Sequence, residues 1–258
     1  MSKKPPALIA LIALACAAAL AACRSEAPPP VEVTRVVTQV VELPAAQPIA
    51  PARPKELTIC MAQEPPTLYL YGESMLTAAA IRHALYTNYI TNLSYDYQAD
   101  GLEKIPSLAD GDAVVNVVEV GAGDVVRRAD DSIGPLAVGD ALVNADGQTV
   151  TFDGAPVVVS QMVVEFAMRP TVWSDGTPVS AADSVYSFNL AADPATTAPK
   201  YVIERTAAYE ATSALGLRWT GLPGFTDSTY FLNFWQPLPE HLWGEFSAAE
   251  LMQAEESN

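Results

Sequence analysis

The strongest local constraint on the fold lies between Trp173 and Phe188, in the sequence WSDGTPVSAADSVYSF. Asp175-Gly176-Thr177-Pro178 has the composition of a tight turn, because glycine permits a positive φ and proline has its φ already fixed. Ser180 and Asp183 follow with the spacing of a capping box, in which both side chains bind amides that the first helical turn leaves unpaired. These residues predict a turn followed by a capped helix that ends at Asp193-Pro194.

The N-terminus is typical of an export signal. Lys3 and Lys4 precede an uncharged, apolar run from Ala7 to Ala22, which is shorter than the ~20 residues that a membrane-spanning helix needs. Residues 1–22 are therefore predicted to be a signal peptide. The run ends in Leu20-Ala21-Ala22-Cys23, which resembles the lipobox of bacterial lipoproteins and makes Cys23 the expected lipidation site. An ordinary secretory signal or an uncleaved anchor are the alternatives.

Residues 23–56 read as a lipid-anchored linker rich in proline and valine. Repeated prolines, Pro28-Pro29-Pro30 among them, keep a backbone extended and prevent a packed core. Val31 to Val41 has strand propensity and could instead add to a sheet edge. The chain has 14 basic and 30 acidic residues, a net charge of −16. Such a surface repels phosphate backbones, so we expect no nucleic-acid partner and membrane contact through the lipid anchor only.

The sequence contains no recognisable catalytic constellation, metal-ligand set or cofactor motif. It lacks a G-x-S-x-G elbow, a P-loop and an H-E-x-x-H motif. Cys60 lies in an apolar run and is expected to be a buried small hydrophobe. His83 is expected to be a helix-face residue, and His241 is expected to form a structural hydrogen bond to a loop carbonyl. We therefore expect no enzyme activity, no metal and no cofactor.

Hydrophobic patterning predicts alternating elements in the rest of the chain. We expect a strand at Leu57–Ala62, a helix at about 74–92, and strands from Ala113 to Met168, where GDVVRRAD and GDALVNAD form a weak repeat of two hairpin edges. Met162, Val164, Phe166 and Met168 should form the buried face of the last of these strands. After the capped helix we expect a short helix within 200–211, a strand at 217–220, an aromatic strand before Trp235, and a last helix capped by Ser247 and Glu250.

The WSDGTPVSAADSVYSF segment resembles the signature of the family 5 extracellular solute-binding proteins, the peptide-binding lipoproteins of ABC importers. Ile105 to Ala109 (IPSLA) and Pro237 to Trp243 (PLPEHLW) are similar to two further pieces of that family. The resemblance implies a mixed α/β (α+β) fold, part of a type II two-lobed periplasmic-binding-protein-like architecture. Residues 57–258 would be its N-terminal portion, with the second lobe missing and a β-rich insertion at 113–168.

The same resemblance implies an extracytoplasmic protein that binds a peptide or similar solute and delivers it to an ABC permease. The stretches that line the cleft in the family fall here at Tyr71, Glu73, Ser74 and Tyr201, which are the candidate ligand-binding residues. Without a second lobe, we expect this chain alone to bind ligand weakly or not at all. An exported structural or sensory lipoprotein, or an exported hydrolase with an unrecognised site, are the alternative functions.

Overall fold

The computed structural model describes residues 57–257. The predicted signal peptide (1–22), the predicted linker (23–56) and the predicted lipidation site Cys23 lie outside the described residues. Within the described part, no helix combines the length and the apolar character needed to cross a bilayer. The described residues form both helices and sheets, so the predicted mixed α/β class is confirmed.

The elements in chain order are α1 (Leu76–Leu85), β1 (Ile90–Thr91), β2 (Gln98–Ala99), β3 (Ala113–Val120), β4 (Val125–Arg127), β5 (Ile133–Pro135), β6 (Ala141–Val143), β7 (Thr149–Thr151), β8 (Val157–Ala167), α2 (Ala181–Ala192), α3 (Tyr201–Glu204), β9 (Thr206–Ala211), β10 (Gly216–Gly221), α4 (Glu240–Trp243) and α5 (Ala248–Leu251). Short 3-10 turns lie at Tyr230–Leu232 and Glu255–Ser257.

A four-stranded antiparallel sheet with the order β3-β8-β10-β9 forms the centre of the fold. Side chains alternate between the faces of a strand, and one face of β8 is buried as the sequence predicted. Trp219 of β10 is fully buried beside that face. Helix α2 packs over the sheet through Val185 and Phe188, so it is held by the same core. The buried residues of β8 and its C-terminal extension are Met162, Val164, Phe166 and Met168.

The β-rich segment contains two similar hairpins, which confirms the prediction of two similar hairpin edges. β4 pairs with β5, and β6 pairs with β7. The turns before β4 and β6 have matching hydrogen bonds, since the carboxylates of Asp124 and Asp140 each accept a backbone amide at 2.8 Å. A separate small core lies beneath the two hairpins, with Val126, Leu142 and Phe152 almost fully buried.

The turn and helix of the opening motif fold as their local chemistry predicts. Gly176 has φ +88°, and the Trp173 amide donates to the Thr177 carbonyl at 2.8 Å. The capping box of Ser180 and Asp183 is present at the start of α2. The second predicted capping box, between Ser247 and Glu250, is present at α5.

The predicted first strand is wrong. Residues 57–62 form no strand, and Leu57 and Ile59 are 81% and 72% exposed. A strand needs a hydrogen-bonding neighbour, and none of the described strands lies beside this segment. Cys60 is consequently exposed and not buried as expected.

Three other expectations differ in extent or type. The helix expected at 74–92 stops at Leu85, because Tyr89 leaves the helix to enter the main core and stacks 5.0 Å from Phe234. The expected helix within 200–211 covers only α3 before the chain enters β9. The aromatic strand expected before Trp235 is a 3-10 turn at Tyr230–Leu232 followed by an irregular segment.

Candidate functional site

A cavity of about 310 Å³ lies where three irregular segments meet. The loop before α1 supplies one wall, the loop between α2 and α3 supplies a second, and the segment after the 3-10 turn supplies the third. Three of the four predicted ligand-binding residues, Tyr71, Glu73 and Ser74, are brought together here. The lining residues are Leu70, Tyr71, Glu73, Ser74, Thr197, Ala198, Pro199, Phe234, Trp235 and Gln236.

Tyr71 forms hydrogen bonds both to helix α2 and to the loop that follows it, which is the second wall of the cavity. Its hydroxyl lies 2.6 Å from the Ser187 hydroxyl, and its carbonyl accepts a 2.7 Å hydrogen bond from the Thr197 hydroxyl. Burial raises the pKa of the Tyr71 phenol well above its usual range, so the group stays neutral at physiological pH. Tyr71 therefore contributes a fixed polar and aromatic surface, with its hydroxyl already paired.

Glu73 is the one charged side chain among the lining residues, yet its carboxylate is already engaged. One oxygen accepts the Met75 amide at 2.5 Å, and the other lies 3.6 Å from the Arg82 guanidinium. The side chain is 10% exposed. Glu73 thus holds the loop against α1, while the neighbouring Ser74 is exposed at the rim.

Trp235 forms the wall that the sequence analysis did not assign to the site. Its amide donates to the Tyr209 hydroxyl at 3.2 Å, and its carbonyl accepts a hydrogen bond from the Ser184 hydroxyl. The same two hydroxyls lie 2.8 Å apart. The indole packs edge-on against Phe188 at 4.6 Å and Tyr209 at 4.8 Å. The only sequence signal for this wall was the density of aromatic residues near Trp235.

Gln236 connects this cavity with two neighbours. It also lines adjoining cavities of about 180 Å³ and about 260 Å³, which contain Tyr89 in their walls. The three spaces therefore follow one irregular segment, Phe234 to Gln236. Their surfaces combine aromatic faces, amides and hydroxyls. Such surfaces suit a small ligand that has both polar and apolar groups.

Tyr201, the fourth predicted ligand-binding residue, lies outside this cavity. Its ring carries the Arg205 guanidinium at 3.8 Å and packs edge-on to Phe225 at 6.4 Å. Arg205 in turn binds the Asp131 carboxylate at 2.9 Å. Tyr201 therefore belongs to the contact between α3 and the first hairpin. The adjacent Lys200 donates to the Asp193 carbonyl at 2.7 Å and closes the end of α2.

The two histidines also lie away from the cavity. His83 lies within α1, as expected. His241 Nε2 lies 3.0 Å from the Asp175 carboxylate in the opening turn, so the expected carbonyl partner is corrected to a carboxylate. The two residues are 66 positions apart in the sequence, so their pairing depends on the fold. Among residues 57–257, no group of three or more His, Cys, Asp and Glu side chains converges on a metal-sized space.

The solved structures that resemble the chain include two peptide-binding proteins. An oligopeptide binding protein from Thermus thermophilus, complexed with a pentapeptide, shares 14% identity over 69% of this chain and 25% of its own, with a TM-score of 0.45. A putative peptide binding protein AppA from Clostridium difficile shares 19% identity over 54% of this chain and 26% of its own, with a TM-score of 0.31. The chain thus spans about a quarter of the length of both. No family model matches the sequence, and no curated protein matches it.

Proposed function

We propose that this chain belongs to a solute-binding lipoprotein of an ABC import system. The whole protein would capture a peptide or similar solute outside the membrane and deliver it to a permease. Residues 57–258 would be the N-terminal portion of a two-lobed binding domain, held to the membrane by a lipid on Cys23 and by the linker at 23–56. No reaction is catalysed, and affinity comes from stabilising the ligand-closed state.

One observation carries the proposal. Three of the four residues nominated by resemblance, Tyr71, Glu73 and Ser74, line one cavity together with the loop between α2 and α3 and the segment around Trp235. The polar groups that build the cavity are largely paired with one another, so the space is preformed and not dependent on a ligand for its shape. An aromatic cavity with a few polar groups is the usual form of a site that binds a small ligand.

Peptide titration followed by NMR tests the proposal and detects even the weak binding expected of this chain alone. The probe is a pool of unmodified tri- to pentapeptides, added to millimolar concentration, with maltose as a solute of another class. The readout is the indole N–H resonance of Trp235, assigned by its loss in Trp235→Phe. We expect peptides to shift this resonance and maltose to leave it in place.

A matched pair of variants shows whether the shift arises in the cavity. Ala198→Trp fills the lined space, whereas Ala195→Trp adds the same side chain at an exposed position of the same loop. We expect Ala198→Trp to abolish the shift and Ala195→Trp to preserve it. The proposal fails if no peptide moves the Trp235 resonance, or if both variants respond like the original protein.

A further inference from the structure

β3 forms an open edge of the central sheet. It stands at the end of the strand order and, among the described strands, pairs with β8 alone. Three of its five valines are exposed, with Val114 at 41%, Val115 at 44% and Val117 at 64%. An apolar edge strand of this length is a template for pairing, and soluble proteins usually protect such an edge with charge, proline or a bulge. β3 contains no proline and one charged residue, Glu119.

Hydrogen bonds around β3 show which residues face the open edge. The Glu165 amide donates to the Asp112 carbonyl at 2.7 Å, so this pair faces inward. Residues of an antiparallel ladder alternate between inward and outward main-chain groups, and the Ala113 amide accordingly donates to a carbonyl outside the sheet at 3.2 Å. Continuing the alternation along the unbroken register directs the amides and carbonyls of Val115 and Val117 outward.

The partner strand confirms this direction independently. Ser160 lies opposite Val117, and its carbonyl accepts the Gly224 amide at 2.8 Å on the far side of β8. Val158 lies opposite Glu119, and its carbonyl accepts the Ala145 amide at 2.9 Å, also on the far side. Val115, Val117 and Glu119 therefore receive no ladder bond from β8, and their main-chain groups are available to another strand.

The sequence of the edge is symmetric about Asn116, in the order Val-Val-Asn-Val-Val from residue 114 to residue 118. A two-fold axis at Asn116 would place the strand antiparallel to its own copy. Val115 then faces Val117 of the other copy, and the two Asn116 amides meet. The same axis separates the two Glu119 carboxylates, since each faces Ala113. Self-complementarity of this kind is what an isologous two-fold interface requires.

We propose that two copies of this chain pair through β3, which joins their central sheets into one continuous antiparallel sheet. Each Val115–Val117 pair exchanges two main-chain hydrogen bonds across the axis. The contact is a single strand wide and falls below the ~1,200 Å² of a standard interface, so the dimer is weak and reversible. Both copies are strongly acidic, so salt should strengthen the association by screening their repulsion.

Cysteine cross-linking tests the register. Residues facing each other at a non-hydrogen-bonded antiparallel position have Cα atoms about 4.5 Å apart, within the range that a disulfide spans. We expect Asn116→Cys, in the detergent-purified whole chain carrying Cys60→Ser, to form a disulfide-linked dimer under mild oxidation. The background without the new cysteine gives the baseline, and Ala195→Cys, at an exposed position in the loop between α2 and α3, is the control. Equal cross-linking of the two variants, or none at position 116, overturns the proposal.

Sedimentation equilibrium tests the edge itself. Val117→Lys places a charge on β3, next to the β3 strand of the second copy. Val158→Lys is the control, because it places the same charge on β8 of the same copy, at a position that is 43% exposed. We expect Val117→Lys to weaken dimerisation at least tenfold, a loss of about 1.4 kcal/mol, and Val158→Lys to change it less than twofold. Raising NaCl from about 0.05 to about 0.5 M should favour the dimer. A protein that stays monomeric at every salt concentration, or that binds only other proteins, refutes the pairing of two copies.

Discussion

Gly224 provides the most quantitative test of how the β-rich segment is attached to the central sheet. Its φ is +82°, and a Cβ added there would lie 2.7 Å from the Arg127 carbonyl oxygen of β4. The contact is fixed from both sides, since the Arg127 amide donates to the Pro223 carbonyl at 3.0 Å and the Gly224 amide donates to the Ser160 carbonyl at 2.8 Å. The Arg127 carbonyl cannot retreat without disturbing these bonds.

The expected cost of Gly224→Ala has two parts. Holding a non-glycine residue in the left-handed region costs roughly 1–2 kcal/mol. Overpacking against a fixed backbone atom typically adds another 1–3 kcal/mol, roughly. Gly176→Ala is the matched control, because Gly176 has φ +88° but nothing within 4 Å of the added Cβ. The control should therefore lose only the first part.

Urea unfolding monitored by circular dichroism measures both free energies of unfolding. We expect Gly224→Ala to lose about 1–3 kcal/mol more than Gly176→Ala. Hydrogen exchange should also accelerate in the hairpins at 123–152 for Gly224→Ala only, because the clash falls on their attachment. Equal losses for the two variants would refute the claim that backbone contact, and not φ alone, makes glycine necessary at this position.

Four further measurements follow from individual contacts. Tyr209→Phe leaves the Trp235 amide and the Ser184 hydroxyl without their shared partner and should cost about 1–3 kcal/mol in urea unfolding; no loss would contradict the buried network. Cys60 should react with a thiol reagent in the folded protein as fast as in urea, since it is exposed; protection would contradict its placement. Glu73→Gln should lower stability by about 1–3 kcal/mol through loss of the Arg82 ion pair, while peptide-induced shifts at Trp235 persist; their loss would instead assign the carboxylate to the ligand. The Thr177 amide, and secondarily His241, hold the pKa of the Asp175 carboxyl below its usual range. This lowered pKa stabilises the folded state above the unfolded-state pKa of the group, and the stabilisation is lost as the pH falls through the folded-state pKa. Carbon NMR of His241→Gln should show that the Asp175 pKa rises only part of the way to its usual range, because the Thr177 amide remains.

The parts of the fold that the sequence predicted are those determined by neighbours in the chain. The turn at Gly176 and the capping box at Ser180 need only residues within a few positions, and both are present. The repeated hairpins follow the same logic, because Asp124 and Asp140 bind amides three residues before them. Local hydrogen bonds of this kind are the same in any tertiary context, so a single sequence suffices to predict them.

The failures arise where a distant contact overrides local propensity. Residues 57–62 have the composition of a strand but no neighbouring strand among the described residues, so they stay irregular. The helix expected to continue past Leu85 gives way because burying Tyr89 against Phe234 stabilises the main core. Trp235 lies in an irregular segment and not in a sheet, and side-chain hydroxyls pair with its main-chain groups in place of a neighbouring strand.

The candidate site also has a part that local sequence predicts and a part that depends on distant contacts. Tyr71, Glu73 and Ser74 were predictable from resemblance because they lie next to one another in the sequence. The wall around Trp235 was not, because it depends on hydroxyls contributed by α2 and β9, which approach it only in the folded chain. Tyr201 was also nominated by resemblance, yet its ring lies in α3 and packs against Arg205 instead.

The pairing of polar groups in the cavity also determines how a ligand could be recognised there. The Tyr71 hydroxyl and the Glu73 carboxylate are engaged within the protein, so neither is free to act as a strong, charged anchor. The groups left to meet a ligand are the Ser74 hydroxyl, the Gln236 amide and the aromatic faces of the third wall. Such surfaces discriminate by shape and apolar area more than by charge, because a neutral hydrogen bond contributes only about 1 kcal/mol net. The cavity should therefore tolerate changes in ligand charge better than changes in ligand size.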